Sequence, residues 1–214
     1  MILPHYDNRC AWYEMLPKVS QFAPLIEDES YATVVIGGGF VGTAAVRRLA
    51  ENQPDQKFLL IDALKIGQGA SGRNSGFVIE QPHKRELELA DQGLKGKIIQ
   101  LNRVAVNFLQ AQVEQYGIDC QWSRAGKYQA AVGKRGEKYL ADYQQQLTSV
   151  GETFEPLSKS QMQDVFGTDY YSAAIYTPNG TLMQPAALMR GMADNMPDNV
   201  RVVEETPIVS IERG

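Results

Sequence analysis

The sequence predicts an α/β protein, in which a Rossmann-like nucleotide-binding fold is interrupted by an inserted α+β region. A β-branched run at 32–36 leads into a glycine cluster, a segment of helical composition at 43–51 and a second apolar run at 57–62. Strand, tight turn, helix and strand in this order predict a βαβ unit. From about residue 117 the pattern changes to shorter strands and helices, which indicates the inserted region.

Size and composition set the class of protein. The 214 residues suffice for one sizeable domain and part of a second. Apolar residues make up 43% and charged residues 21%, as in ordinary soluble globular proteins. A net charge of -4 gives no basic face for nucleic acid, and no apolar run reaches the roughly 18 residues of a membrane span. The first ten residues contain no export signal, so we expect a cytoplasmic protein.

Four regions are expected along the chain. Residues 1–30 mix aromatics, prolines and acids and form an N-terminal extension with one short helix. Residues 31–116 form the first part of the nucleotide-binding domain, and 117–197 begin the inserted domain. Residues 198–214 return to the first domain. Because a doubly wound sheet needs more strands than these regions supply, we expect the fold to be incomplete at its C-terminal end.

Shorter elements are predicted from hydrophobic spacing and from glycine and proline positions. A long helix is expected at 84–116, split or bent at Gly93 and Gly96. The other predicted helices are 135–150, 158–166 and 185–195, and the other predicted strands are 127–132, 173–176, 200–203 and 207–211.

The glycine cluster after the first strand fits G-x-G-x-x-G, with Gly37, Gly39 and Gly42 between a predicted strand and a predicted helix. Gly37 permits the tight turn, and Gly39 lets backbone N–H groups approach a pyrophosphate. Gly42 lets the helix pack closely on the strand, and the helix N-terminus adds partial positive charge. The segment therefore predicts a dinucleotide site.

An acidic residue, Asp62, ends the second strand about 20 positions past the last glycine of the motif. Its carboxylate can accept both ribose hydroxyls of an adenosine. It would repel a 2′-phosphate, which disfavours NADP and leaves NAD and FAD open.

A second glycine-rich stretch, 67–76, stands where a plain NAD domain would continue into a crossover helix. Small residues there let the backbone reach a bulky planar ligand. Ser71 and Asn74 offer hydrogen bonds, and Arg73 offers a charge-assisted donor. A loop of this kind suits a cofactor that extends past its pyrophosphate and favours FAD. A solvated surface loop with an incidental arginine is the alternative.

The runs 34–42, 66–67 and 69–76 resemble the D-amino-acid oxidase (DAO) type of FAD-dependent oxidoreductase, whose FAD domain is glutathione-reductase-like. Within that family the chain is similar to the branch containing γ-glutamylputrescine oxidase and related amine and amino-acid oxidoreductases. The segment 178–188 is similar to the family's entry into the helix before the sheet is rejoined. The resemblance implies these cofactor-binding residues: Gly37, Gly39, Phe40, Val41, Gly42, Asp62, Ala70, Ser71, Gly72, Arg73, Asn74, Ser75 and Gly76.

The same resemblance implies oxidation of the C–N bond of an amine or amino acid, with hydride passing to flavin N5 and electrons to oxygen or another acceptor. The loop at 69–76 contains neither histidine nor cysteine, so we expect noncovalent FAD. Cys10 and Cys120 have no metal-site spacing, and no metal is predicted. A homo-oligomer and the identity of the catalytic residues stay open.

Two other functions are weighed against this prediction. The chain could be a non-catalytic or truncated nucleotide-binding fragment that needs a missing C-terminal half or a partner. An NAD-dependent dehydrogenase is disfavoured by the loop at 69–76.

Overall fold

The computed structural model describes residues 10–17, 19–25, 28–81 and 92–212. Part of the predicted helix at 84–116, residues 84–91, lies outside these ranges. The helices are α1 (Ala11–Glu14), α2 (Phe40–Asn52), α3 (Ala70–Arg73), α4 (Gln92–Gln115), α5 (Gly133–Ser149), α6 (Lys159–Phe166) and α7 (Pro185–Asp194). The strands are β1 (Thr33–Ile36), β2 (Phe58–Ile61), β3 (Phe77–Ile79), β4 (Lys127–Ala131), β5 (Glu155–Pro156), β6 (Ala173–Thr177), β7 (Gly180–Leu182) and β8 (Val200–Val203).

The described residues fall into two compact units. The first unit combines Met1–Gly76, Gln112–Gln121 and Met183–Gly214, and the second combines Phe77–Ala111 and Trp122–Leu182.

A parallel sheet in the order β1-β2-β8 forms the centre of the first unit. Ile61 at the end of β2 pairs with Ile36 of β1 on one side and Val203 of β8 on the other. All four residues of β2 are buried, as its unbroken apolar run requires of a central parallel strand. The predicted βαβ unit is confirmed.

The two faces of this sheet are covered differently. Helices α2 and α7 pack on one face, where their side chains form a core with Phe58 and Leu60. On the other face, Leu59, Ile61 and Val203 pack against Leu25, Tyr31 and Ile208, which lie outside the helices and strands. Val34 and Ile36 of β1 are 46% and 55% exposed. The second face is therefore the more open one.

The N-terminal segment is tied to the first unit at several points. The predicted short helix is confirmed as α1. Phe22 packs against the core of the first unit, and the Ser20 hydroxyl donates a hydrogen bond to Asp194. Glu29 pairs with Arg201 of β8.

The second unit contains an antiparallel sheet in the order β4-β6-β5, with α5 packed on it. Ser158 and Gln161 form a capping box at the start of α6, and Gly167 ends that helix in the left-handed conformation. A further antiparallel pair joins β3 to β7. The predicted strands and helices between 127 and 177 are confirmed to within two residues.

The structure differs from the predicted elements in three places. Helix α4 is continuous from Gln92 to Gln115, so Gly96 does not split it, because one glycine weakens a long helix without breaking it. Residues 207–211 form no strand, and Val209 and Ile211 are 65% and 80% exposed. Pro207 also lacks the N–H that a ladder requires. The pair β3 and β7 was not predicted, since strands of three residues are too short to show a period.

Candidate functional site

The first glycine turn joins β1 to α2. Gly37 has φ +103°, which favours glycine, and its N–H donates to the carbonyl of Ile61 at 2.8 Å. Gly39 is the extended N-cap residue of α2, with φ -79° and ψ -173°. A Cβ added to Gly42 would overlap the carbonyl oxygen of Gly37. The three glycines are thus needed for a turn, an open N-cap and a close backbone approach.

Asp62 follows β2 directly and holds the backbone of the first turn. Its Oδ2 accepts a hydrogen bond from the N–H of Gly38 at 2.6 Å, and its Oδ1 accepts one from the N–H of Leu64 at 2.8 Å. A carboxylate has about four lone-pair positions, so both oxygens can still accept from a ligand hydroxyl. The residue is half-buried, which leaves it within reach of solvent.

The second glycine turn repeats the backbone of the first. Gly67 has φ +92°, and Gly69 is an N-cap residue with φ -79° and ψ -173°. A Cβ added to Gly72 would overlap the carbonyl oxygen of Gly67. The segment 67–72 is itself a second G-x-G-x-x-G motif. The interpretation of this stretch as a polar loop did not take the motif into account. That interpretation is corrected, because α3 occupies Ala70–Arg73.

Ser71 brings the two turns into contact. Its Oγ accepts a hydrogen bond from the N–H of Phe40, the first residue of α2, at 3.0 Å. A Cβ added to Gly39 would lie 3.0 Å from the same oxygen. The two turns therefore meet at the carboxyl ends of β1 and β2, where a parallel sheet offers its ligand crevice.

Arg73 and Asn74 brace the second turn from within. Arg73 Nε donates to the carbonyl of Gln68 at 2.6 Å. Asn74 Nδ2 donates to the carbonyl of Ser71 at 2.7 Å, and Asn74 Oδ1 accepts from the N–H of Gly76 at 2.8 Å. These contacts fix the second turn with its own side chains.

Backbone next to both turns faces open space. A Cβ added at Gly37 or Gly69 would meet no atom within 4 Å. Phe40 and Val41, at the start of α2, are 42% and 83% exposed. The N-terminus of a 13-residue helix is thus accessible to an anion. The remaining predicted residues differ in exposure: Ala70 and Ser75 are exposed, and Gly72 and Gly76 are buried.

Glu204 is a residue at this site that the sequence interpretation missed. It follows β8 directly, as Asp62 follows β2, and the pairing of Ile61 with Val203 makes the two acids neighbours at the sheet edge. Burial raises the pKa of the Glu204 carboxyl, and the Ile66 N–H and Arg190 counteract part of that rise. An acid directly after an apolar run was the available signal, the same signal that singled out Asp62.

Other kinds of site were sought in the described part of the chain. Within it, no group of three or more histidine, cysteine, aspartate or glutamate side chains could hold a metal ion. Neither Cys10 nor Cys120 forms a disulfide bond. No helix among residues 10–17, 19–25, 28–81 and 92–212 is long and apolar enough to cross a bilayer.

The family model and the related sequences indicate the same family of oxidoreductases. A family model described as FAD dependent oxidoreductase (DAO) matches residues 32–214. The chain is 24% identical over 196 residues to the probable oxidoreductase OrdL of Haemophilus influenzae, covering 89% of the chain and 45% of that protein. It is 24% identical over 204 residues to gamma-glutamylputrescine oxidoreductase of Escherichia coli, covering 91% of the chain and 46% of that protein.

Solved structures agree with this result at the level of the fold. Glycine oxidase from Bacillus cereus matches with a TM-score of 0.67 and 18% identity, over 86% of this chain and 49% of that one. Identity this low shows a shared fold alone. The chain spans about half the length of the relatives it matches.

Proposed function

The chain belongs to the DAO family of FAD-dependent oxidoreductases, and on this premise we propose that it binds FAD noncovalently and oxidises the C–N bond of an amine or amino acid. When bound, FAD supplies two-electron chemistry, here the acceptance of a hydride at flavin N5. The protein's part is to bind and orient the cofactor.

The contact between the two glycine turns carries this proposal. A dinucleotide as long as FAD needs a pyrophosphate site and a further site for what extends beyond it. The hydrogen bond from the Phe40 N–H to Ser71 Oγ brings two such turns next to each other. A surface loop unrelated to the first turn would have no reason to share its backbone geometry and to contact its helix N-terminus.

The residues at the first turn fit the adenosine half of FAD. We propose that the pyrophosphate lies at Gly37, Gly39 and Gly42 and at the exposed start of α2, where N–H groups and the helix dipole favour an anion. Asp62 would accept the ribose hydroxyls while it keeps its bond to Gly38. Gly39 has to lack a side chain, since a Cβ would fill the space beside Ser71 Oγ.

The second turn fits the part of the cofactor beyond the pyrophosphate. The residues of this turn that are predicted to bind the cofactor are Ala70, Ser71, Gly72, Arg73, Asn74, Ser75 and Gly76. Arg73 and Asn74 donate hydrogen bonds to the backbone of the turn itself. We therefore propose that their main role is to hold the turn in the conformation that binds the cofactor. Exposed Ala70 and Ser75 are available for direct contact.

We propose the substrate class from the relatives. Gamma-glutamylputrescine oxidoreductase and glycine oxidase are named for an amine and an amino acid. We further propose that the first unit belongs to the FAD domain and that the second unit begins the substrate domain. The domain bounds predicted from sequence, 31–116 with 198–214 and 117–197, differ from these units at 77–111, 117–121 and 183–197. A cytoplasmic enzyme that forms a homo-oligomer is compatible with these proposals.

A second candidate function is a nucleotide-binding unit that becomes catalytic only when more of the fold is supplied. Two observations favour it. The chain spans about half the length of its relatives. One sheet face leaves Val34 and Ile36 about half exposed, where further protein could pack.

The test is to purify the chain and measure FAD binding by visible absorbance and by calorimetry, with NADH as the competing ligand. Flavin bands with a stoichiometry near one, and no NADH binding, are expected. Gly39→Val should abolish binding, because its side chain would occupy the space beside Ser71. Gly96→Ala, in the second unit, with a helical backbone and open space around it, is the folding control.

Catalysis is tested separately by peroxide release and by anaerobic flavin bleaching across amines and amino acids. FAD binding without bleaching by any substrate would favour the second candidate function. Selective binding of NADH would overturn the FAD proposal.

A further inference from the structure

A buried ion pair lies directly behind the second glycine turn. The side chains of Arg190 in α7 and Glu204 after β8 are 4% and 5% exposed. Glu204 Oε1 accepts a hydrogen bond from Arg190 Nη1. The same oxygen accepts a second one from the N–H of Ile66, at 2.5 Å. Arg190 Nη1 donates in turn to the carbonyl of Ile66 at 3.3 Å. One charged pair therefore holds both backbone polar groups of the residue before Gly67.

The guanidinium of Arg190 is itself fixed from a third direction. Its Nη2 donates to the carbonyl of Ser20 at 2.6 Å, and its carbon lies 5.0 Å from the centre of the Phe22 ring. The N-terminal segment thus contacts the guanidinium through Ser20 and Phe22. A group held at this many points has little freedom to move with the turn.

Stability alone does not explain this pair. Burying two charges removes their hydration, and apolar replacements of buried ion pairs are often neutral or stabilising. The local requirement is different. Ile66 is 1% exposed, so an unpaired N–H or carbonyl there would be strongly unfavourable. Because its peptide groups lead directly into Gly67, holding them sets the direction in which the second turn starts.

The comparison with Asp62 supports the same interpretation. Each of the two adjacent parallel strands, β2 and β8, is followed by an acid that accepts a backbone N–H. Asp62 accepts from Gly38 in the first turn, and Glu204 accepts from Ile66 just before the second. Asp62 is half-buried and available to a ligand. Glu204 is buried and committed to Ile66 and Arg190, so its contribution is indirect.

We propose that Glu204 and Arg190 are positioning residues, which hold Ile66 so that the second glycine turn stays where Ser71 meets the first. Through this position they set the affinity for FAD without touching it. The inference rests on the proposed function for its effect on FAD, and on the structure of the chain alone for its effect on the turn.

The test of positioning uses hydrogen–deuterium exchange on the chain without added cofactor. In Glu204→Gln, amides of 66–72 should exchange at least about tenfold faster, while peptides from α2 and α5 change by less than about twofold. Glu51→Gln is the matched control, since Glu51 forms an exposed ion pair with Arg48 in the same unit. Exchange that is unchanged at 66–72, or raised equally everywhere, would overturn the proposal.

FAD affinity is then measured on the same proteins by equilibrium dialysis. Glu204→Gln should bind FAD about tenfold more weakly than the unmodified chain, and Glu51→Gln should bind equally well. Arg190→Lys keeps the charge but loses the reach to several acceptors, so we expect an intermediate change. It also serves as the test variant if Glu204→Gln does not fold.

The outcomes separate the two proposals. Failure of the unmodified chain to bind FAD would refute the proposed function, while the exchange pattern still decides whether the pair holds the turn. Faster exchange at 66–72 with unchanged FAD affinity would refute the proposed effect of the pair on FAD binding and leave the proposed function standing.

Discussion

The two glycine turns of the first unit have the same backbone and different surroundings. Both begin at a glycine with φ near +100° and continue through an extended glycine N-cap, and both place a third glycine against the first carbonyl. The first leads into α2, 13 residues long and packed in the core, whereas the second leads into α3, only four residues long. Glycine spacing thus sets the backbone conformation of each turn. The element that follows determines what the turn presents to a ligand, which is a helix N-terminus at the first turn and hydrogen-bonded side chains at the second.

Exchange of the third glycine for alanine should give the largest effect and the clearest difference between the turns. Gly42→Ala should destabilise the chain by about 3 kcal/mol, since the new Cβ overlaps Gly37 and α2 cannot move without disturbing the core. Gly72→Ala should cost about half as much, roughly 1.5 kcal/mol, because the short α3 can shift. Urea unfolding measures both. Equal losses would contradict the difference in anchoring.

Replacement of the first glycine should affect both turns alike. Gly37→Ala and Gly67→Ala place a side chain at φ +103° and +92°, which should cost about 2 kcal/mol each. Gly96→Ala, in the exposed interior of α4, is the control and should stabilise by about 0.5 kcal/mol. A difference above about 1 kcal/mol between the two turn variants would show that their backbones are not equivalent.

Asp62→Asn tests the anchor of the first turn. The amide offers one acceptor in place of two, so either Gly38 or Leu64 loses its partner. We expect a loss of about 1.5 kcal/mol in stability and a roughly tenfold weaker FAD affinity. Calorimetric titration with FAD checks the second value. Retention of full affinity would exclude Asp62 from the ribose site.

Ser71→Ala should give the smallest effect, on the contact between the turns. Removal of the Oγ that accepts from the Phe40 N–H should cost about 0.5 kcal/mol, because water can replace it at this exposed position. FAD affinity should fall by a factor of about three. Ser210→Ala, at an exposed serine outside both turns, is the matched control. No difference between the two serine variants would show that the contact between the turns does not matter for FAD.

Prediction from sequence succeeded where a pattern was long or chemically strict. The βαβ unit followed from two apolar runs around a glycine motif, and the capped helix α6 from its spacing. It failed for β3 and β7, whose three residues carry no period, and for 207–211, which has strand composition but no partner among the described residues. At the site, Asp62 was found and Glu204 was missed. Asp62 lies about 20 residues after the last glycine of the first motif, where a ribose-binding acid is expected. Glu204 has no such spacing from that motif.

The sequence by itself determined the two glycine turns, since the conformations at Gly37 and Gly67 are open mainly to glycine, and each motif contains the residues its own turn needs. It also determined the family, since the family model matches residues 32–214. Only the tertiary structure decided that the turns meet at Ser71 and that Glu204 and Arg190 stand behind the second one. Those contacts join residues 31 to 138 positions apart, and their geometry depends on how β8 pairs with β2, which no local pattern encodes.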